Sequence, residues 1–554
     1  MSPRRPLRLL CSAAVALALA LGACSPPPPA GGGSSGAATT GGASGGAEAW
    51  KGKSITILLQ QKPDLMSPLG AATNGNGQIL LVTQDTLAAG TPDGKLVPRV
   101  AKSWEQSSDG LSILITLNDN QKWSDGTPLT QDDILFTFNT YVNPQVKAPL
   151  GSQLAPIAGY DAVKAGTAKE LSGVTKVGSN QIKITLAKPD AGFMYLLLAA
   201  YYYILPQAKL KDMDPTKLLD NPMWTQPGAV PYLGPMVMSQ NVTGQRVVFT
   251  RNPNFRTPVQ FETLVASLVT QDVATQQLAS GEMDMTLLQP TDLAAVQKMS
   301  NVTIVKADSP GFDRYTVNIR KPYLKSNLVR QGLLTAIDRK GIMASIYSGL
   351  ATPSNTSFLA SGVDTSGINT YAYDPAKAKQ LLQQGGWNFD QQLQIVQASG
   401  NAQRAAVDQV VLKNLQDAGV KAVIKPIDQA QVTQTLTDGS YDIFLYGGGN
   451  YVVDASIDIP ILSCATQFPN GANLPNYCSQ ELDAVFDQTR TTTDPAKRAA
   501  LFTQAAKIEN NDVPMLWIAR PQRAYALSPK ITGGVKCGDG VNNCMFSLHE
   551  WTVK

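Results

Sequence analysis

A single histidine, His549, is all the chain offers as a side chain titrating near neutral pH without a shifted pKa. It stands in Ser547-Leu548-His549-Glu550-Trp551 near the carboxyl end, where a structural or surface role outweighs that of a general base. No Gly-x-Ser-x-Gly elbow, His-Glu-x-x-His pair or Walker A loop occurs. The glycine-rich run Tyr446-Gly447-Gly448-Gly449-Asn450-Tyr451 lacks the lysine and hydroxyl that phosphate binding requires. The sequence therefore argues against an enzyme and implies no cofactor, although 42 acidic residues leave a carboxylate pair open.

Charge of one sign is also lacking. Three of the 46 basic residues, Arg4, Arg5 and Arg8, lie in an acid-free leader, leaving 43 against 42 acidic. That balance gives no reason to expect nucleic acid as a partner. Beyond residue 24 no run approaches the ~20 apolar residues of a spanning helix. The leader itself has a basic start and an apolar stretch over 13–21, the pattern of a secretory signal. It ends in Leu21-Gly22-Ala23-Cys24, which resembles the bacterial lipobox. That resemblance implies a signal peptide over 1–23 and a lipidated Cys24 rather than an incidental cysteine. Residues 24–47, rich in Gly, Ser, Pro and Ala, have almost nothing to bury and read as a disordered tether reaching roughly 25 Å.

Cysteine is sparse. With Cys11 lost in the leader and Cys24 acylated, four remain, and outside the cell they are expected to pair. Three connectivities are possible; the short pairings Cys464–Cys478 and Cys537–Cys544 are favoured, though sequence alone does not decide. The first would close a loop of about 15 residues, worth roughly 3 kcal/mol. Neither spacing suits a zinc site, so no metal is expected.

What is present is α/β patterning. Residues 54–59 read as a strand, and Ile113, Ile115 and Leu117 alternate as a second. Ser124-Asp125-Gly126-Thr127-Pro128 is a turn by composition, and Thr130 with Asp133 forms a capping-box-like start to a helix. Strands are expected over 174–186, 315–318, 393–396, 420–424 and 442–445, with helices over 79–87, 328–346 and 407–418. Asp374-Pro375 and Asp494-Pro495 each place an N-cap before a first-turn proline. The run 193–205 is apolar all round, and its tyrosines read as core rather than ligand contacts. Arg330, Asp338 and Arg339 read as ion pairs that fix their helix.

Pro98-x-x-Ala101-x-Ser103-Trp104-Glu105, Asp109-Gly110 and Lys122-Trp123-Ser124-Asp125-Gly126-Thr127-Pro128-Leu129-Thr130-x-x-Asp133 resemble the signature of the family 5 extracellular solute-binding proteins of ABC importers. Arg251-Asn252-Pro253-Asn254-Phe255, Val329-Arg330-Gln331 with Ala336-Ile337-Asp338-Arg339, and Gly385-Gly386-Trp387 extend the resemblance. Gly234-Pro235 also matches, but Met236 after it departs from the resemblance, standing where the family has tyrosine. The resemblance implies an α/β, periplasmic-binding-protein-like type II fold, with two main lobes joined at a hinge plus an inserted third lobe. The first lobe would comprise residues 48–84, 229–305 and 518–554, the inserted lobe 85–228, and the second main lobe 306–517.

The resemblance also implies capture of a peptide, as an oligopeptide, by lobe closure. Delivery would be to an ABC permease and ATPase complex by a monomer anchored to the extracytoplasmic face of the membrane. In the family's dipeptide receptors a Gly-Trp and an Asp follow the strand at 442–445; here Gly447 and Asn450 occupy the Trp and Asp positions. An expected arginine near 399–401 is missing, and Arg404 is its candidate substitute. An uncharged Asn450 cannot make the charge-assisted bond an ammonium favours, so Asp454 and Asp458 are candidates for the missing charge. The expected ligand-binding residues are thus Asn450, Tyr451, Tyr446, Gly448, Asp454, Arg404 and, in the loop after the first strand, Met66. Other readings are a non-peptide solute (an oligosaccharide or metal chelate) in the same fold, or a surface adhesion or signalling lipoprotein.

Overall fold

The computed structural model describes residues 49–554 except 64, 71–73, 92–94, 200, 309–310, 361, 449–453 and 538–542. The leader, Cys24 and the tether lie outside these residues, as do Asn450 and Tyr451. Among the described residues no helix is long and apolar enough to cross a membrane.

Local signals in the chain set the element boundaries. Thr130 N–H donates to the Asp133 carboxylate at 2.8 Å, opening the helix Gln131–Val142 at the residue where the apolar stripe begins. Trp123 N–H donates to Thr127 O at 2.8 Å, and Gly126 takes φ +87° to close that turn. Asp374 and Asp494 accept from the backbone N–H of Lys377 and Lys497, starting the helices Pro375–Gln384 and Pro495–Asp512. The helix expected over 328–346 is two: Asn327–Thr335 and Arg339–Ser345. Asp338 divides them by capping the second, accepting from Gly341 N–H at 2.9 Å.

The main sheet carries two parallel groups. In one, Ser54–Leu58 runs parallel to Thr263–Ser267 and Met285–Leu288. In the other, Gln392–Ala398 runs parallel to Lys421–Ile427 and Ile443–Gly448. A 13-residue strand, Met515–Leu527, belongs to both. Its first half pairs antiparallel with Phe312–Val317, its second with Met285–Leu288 and Thr303–Asp308. Residue 518 falls within this shared strand. A separate antiparallel sheet orders Ala101–Gln106, Ser112–Leu117, Gln181–Thr185 and Val174–Val177.

Each group has its own core. Ile57, Ile115, Phe138, Phe249 and Trp551 belong to one cluster that includes the small sheet; Tyr315, Leu333, Ile395, Val411 and Ile518 belong to another. Tyr202 and Tyr203 are buried. Cys464 bonds Cys478 and Cys537 bonds Cys544.

Arg330 and Arg339 make no ion pair among the described residues. Both are buried and give their guanidinium donors to backbone carbonyls. Arg330 reaches Asp512 O and Val513 O at the end of the helix Pro495–Asp512, and also Leu324 O and Lys325 O. Arg339 reaches Ser354 O, Trp517 O, Thr370 O, Tyr371 O and Asn355 Oδ1. Burial pushes both down to about 10, so each stays charged at neutral pH. A rigid fork of five N–H groups suits clusters of carbonyls better than one carboxylate.

Candidate functional site

In α/β folds ligands bind beyond the carboxyl ends of parallel strands. Here those ends are Ala398 and Gly448, and the side chains around them form one connected cluster. Asn401 Oδ1 accepts Arg404 N–H at 2.9 Å, capping the helix Ala402–Asp417. The cap holds Arg404 in the first turn, aimed across the sheet. Its Nη2 and Nε lie 3.1 and 3.2 Å from Asp313 Oδ1. Tyr347 OH donates to the other oxygen, Oδ2, at 2.6 Å. Asp313 is buried, whereas the Arg404 side chain is 35% exposed.

Gly447 explains how this fits. It pairs with Asp313 in the register of Phe312–Val317 against Ile443–Gly448. A Cβ at 447 would collide with Arg404 Nη2 and Asp313 Oδ1. Arg404 and Asp313 thus occupy the space a side chain at 447 would need.

The next residue, Arg314, is also buried. Its guanidinium carbon lies 4.2 Å from the Phe312 ring centroid, 5.3 Å from Trp517 and 5.9 Å from Tyr446. Nε and Nη1 have no hydrogen-bond partner among the described residues. Burial lowers Arg314 to about 10 against the opposing pull of Asp458, Tyr446, Glu509 and Asp313. It remains a cation held largely by aromatic faces. Tyr446 itself is 37% exposed.

One residue further along the strand, Tyr315 OH donates to Asp408 Oδ1 at 2.6 Å, and Gln397 Nε2 to Oδ2 at 3.2 Å. Burial nevertheless pushes Asp408 up to about 6. A raised carboxyl pKa means the folded chain holds a proton that the unfolded chain releases near pH 4, so stability falls as pH rises from about 4 to 6. Two pH units correspond to at most roughly 3 kcal/mol. Asp408→Asn is therefore expected to raise the thermal midpoint at pH 7.5 and leave it unchanged near pH 4. Parallel melting curves for the two proteins that never diverge with pH would contradict this.

Asp454, Met66, Gly448 and Asp458 are each engaged within the protein. Asp454 is paired with Arg498, whose Nη2 lies 2.8 Å from Asp454 Oδ1 while Nη1 contacts Oδ2. Both side chains are buried, and Arg498 also donates to Thr489 O. Met66 is buried at φ +51°, packed in the first core. Gly448 closes the strand opposite Phe312. Asp458 is buried and acts electrostatically on Arg314. Asp313, Arg314 and Tyr347 are the members that motif reading missed. The available signal was an adjacent acid and base in Phe312–Val317, whose six residues are all buried.

Across from this cluster, the segment after the small sheet touches the second half of the chain. Ala191 N–H donates to Arg490 O at 2.8 Å. Gly192 lies against Ser456 and Arg498, and the Arg498 guanidinium is 5.7 Å from the Tyr195 ring centroid. A cavity of about 380 Å³ remains here, lined by Phe193 and Leu196 on one side and Ile457 and Pro460 on the other.

The chemistry on offer is charge recognition by Arg404, with the exposed Tyr446 ring next along the strand from Gly447. Among the described residues no group of three or more His, Cys, Asp or Glu side chains could hold a metal ion.

A model of the bacterial extracellular solute-binding proteins, family 5 (middle), matches residues 95–469. A putative ABC transporter peptide-binding protein of Brucella ovis is 26% identical over 437 residues, covering 76% of this chain and 79% of that one. Heme-binding protein A of Haemophilus influenzae is 28% identical over 465 residues, covering 79% and 81%. The crystal structure of the ABC transporter substrate-binding protein CtaP of Listeria monocytogenes superposes with a TM-score of 0.76 at 24% identity, covering 91% of this chain and 99% of that one. That likeness shows the fold, the type II two-lobe plan of mixed α/β sheets.

Proposed function

The chain belongs to the bacterial extracellular solute-binding proteins of family 5, and from that membership we propose that it is the peptide receptor of an ABC importer. It captures oligopeptides between its lobes, hands them to a permease and ATPase complex, and makes or breaks no bond. Cys24 carries the lipid anchor, and residues 24–47 tether the folded part to the extracytoplasmic face of the membrane. The lobes are those expected from the resemblance: 48–84, 229–305 and 518–554; 85–228; and 306–517.

The observation that carries this reading is Arg404. Asp313 holds its Nε and Nη2, while a third of the side chain faces open space at the carboxyl ends of the parallel strands. A guanidinium fixed on one edge and open on the other grips a ligand carboxylate with little ordering cost. Tyr446, Gly448, Asn450 and Tyr451 are the residues proposed to contact the peptide body, partly through backbone hydrogen bonds that are indifferent to side chains. Asp454 serves by holding Arg498, and Met66 by shaping its loop. A second reading, a non-peptide solute, is favoured by Gly447 and Asn450 standing in place of the dipeptide receptors' Trp and Asp, and by the similarity to a heme-binding protein.

Native mass spectrometry of the detergent-solubilised mature chain separates the two. Adducts forming a series spaced by amino-acid residue masses are expected. One discrete non-peptide mass would replace the peptide assignment with the second reading, and an absence of adducts with no melting response to peptide and sugar pools would count against both.

A further inference from the structure

A second cavity, of about 840 Å³, opens elsewhere in the molecule. Its lining shares no residue with the cluster around Asp313. Arg99 and Arg256 stand on one wall, and Lys306 on the strand Thr303–Asp308 supplies another. Lys536, His549 and Glu550 come from the carboxyl-terminal segment.

The charges do not balance. Arg99 and Arg256 share one carboxylate, Asp85, which is buried beneath them: Arg99 Nε lies 2.8 Å from Oδ1, and Arg256 Nη1 contacts Oδ2. Lys536 is 2.5 Å from Glu550. Lys306 is exposed and pairs with no carboxylate among the described residues. Among the described side chains four cations thus face two carboxylates, a surplus of two. The rest of the wall is apolar, with Val97, Pro98, Ala307 and Phe546.

We propose that this cavity is a second binding site, for a small organic dianion: two carboxylate, phosphate or sulfonate charges carried on an apolar body. The volume is that of an ordinary small-molecule site, and two surplus cations beside an apolar wall match such a ligand in charge and shape. Arg256 has 24% of its side chain exposed and Lys306 is exposed, so both can meet an incoming anion.

The chain's only histidine reports on the site. His549 is largely buried, its Nδ1 has no hydrogen-bond partner among the described residues, and its ring meets Phe255 edge-on at 5.8 Å. Burial lowers its pKa to about 4, helped by Arg99 and Arg256 and opposed by Glu550 and Asp85. Lys306 and Lys536, on the same cavity wall, add positive potential. A dianion placed among these cations favours the imidazolium, so its arrival raises the His549 pKa.

Benzene-1,3-disulfonate is a suitable probe because it stays doubly charged across the titration. The measurement is the pH titration of the single imidazole by NMR in the full chain, with and without millimolar probe at matched ionic strength. The expected result is an upward shift on the order of one pH unit, saturating with probe. Benzenesulfonate, with one charge, should bind about tenfold more weakly. Lys306→Gln, at an exposed position, should weaken the disulfonate to a similar degree while leaving the melting temperature nearly unchanged. No shift, a shift that sodium chloride reproduces, or an equal shift in Lys306→Gln would each overturn the proposal.

Discussion

Replacing Arg339 by methionine is expected to destabilise the protein by about 4 kcal/mol, the largest loss we expect from a residue outside both candidate sites. The reason is what the guanidinium leaves behind. Ser354 O, Trp517 O, Thr370 O and Tyr371 O all accept from it, together with Asn355 Oδ1. The arginine is only 5% exposed, so water does not easily take its place. Each orphaned buried acceptor costs roughly 1–3 kcal/mol, and partial relaxation reduces the sum. Lysine should recover less than half, because one ammonium cannot span carbonyls that a planar fork reaches on two sides. The contacts also tie two loops to Trp517 on the shared strand Met515–Leu527. Urea denaturation of wild type, Arg339→Met and Arg339→Lys measures this, with exposed Lys325→Met as a control near zero. A methionine variant as stable as the control would show that the carbonyls find other donors.

The same arginine marks where sequence reading stops. Features written within four residues were legible: the Thr130–Asp133 start, the Asp-Pro helix openings, and the turn at Gly126. Each depends on side chains reaching neighbouring backbone groups, which spacing specifies. Asp338 was visible as a charge but not as a cap, because the apolar stripe of Leu333, Leu334 and Ile337 runs on past the break. Partners distant in sequence were invisible. Arg339 and Arg330 are charged residues, so they invited carboxylates, yet their acceptors are carbonyls up to 183 positions away. Asp454 looked available because Arg498 stands 44 residues on. Gly447 could be recognised as a departure from the family, but only coordinates show Arg404 and Asp313 filling the vacated space. The fold was therefore legible through its motifs, whereas the site depends on which lobe surfaces meet, and no local rule encodes that.

One of those meetings yields the other large effect. Gly192→Val should weaken ligand binding by about 100-fold while leaving the ligand-free protein as stable as wild type. A side chain at 192 would collide with Ser456 Oγ and come within 2.8 Å of Arg498 Nη2. Ser456 can rotate away, but Arg498 is pinned by Asp454 and Thr489 O. The backbone at 192 is outside the left-handed region, so valine introduces no conformational strain of its own. The cost therefore falls on the state in which the two surfaces touch, and a hinged receptor can avoid it by staying open. A closure penalty of roughly 3 kcal/mol is subtracted directly from the affinity of any ligand that binds through closure. Alanine, with one carbon, should cost about tenfold. Occupancy of co-purified adducts gives the affinity order, and small-angle scattering should show the valine variant failing to contract when wild type does. Should Gly192→Val instead lower the ligand-free melting temperature and leave occupancy intact, the contact would be a permanent part of the fold, and closure would take place elsewhere.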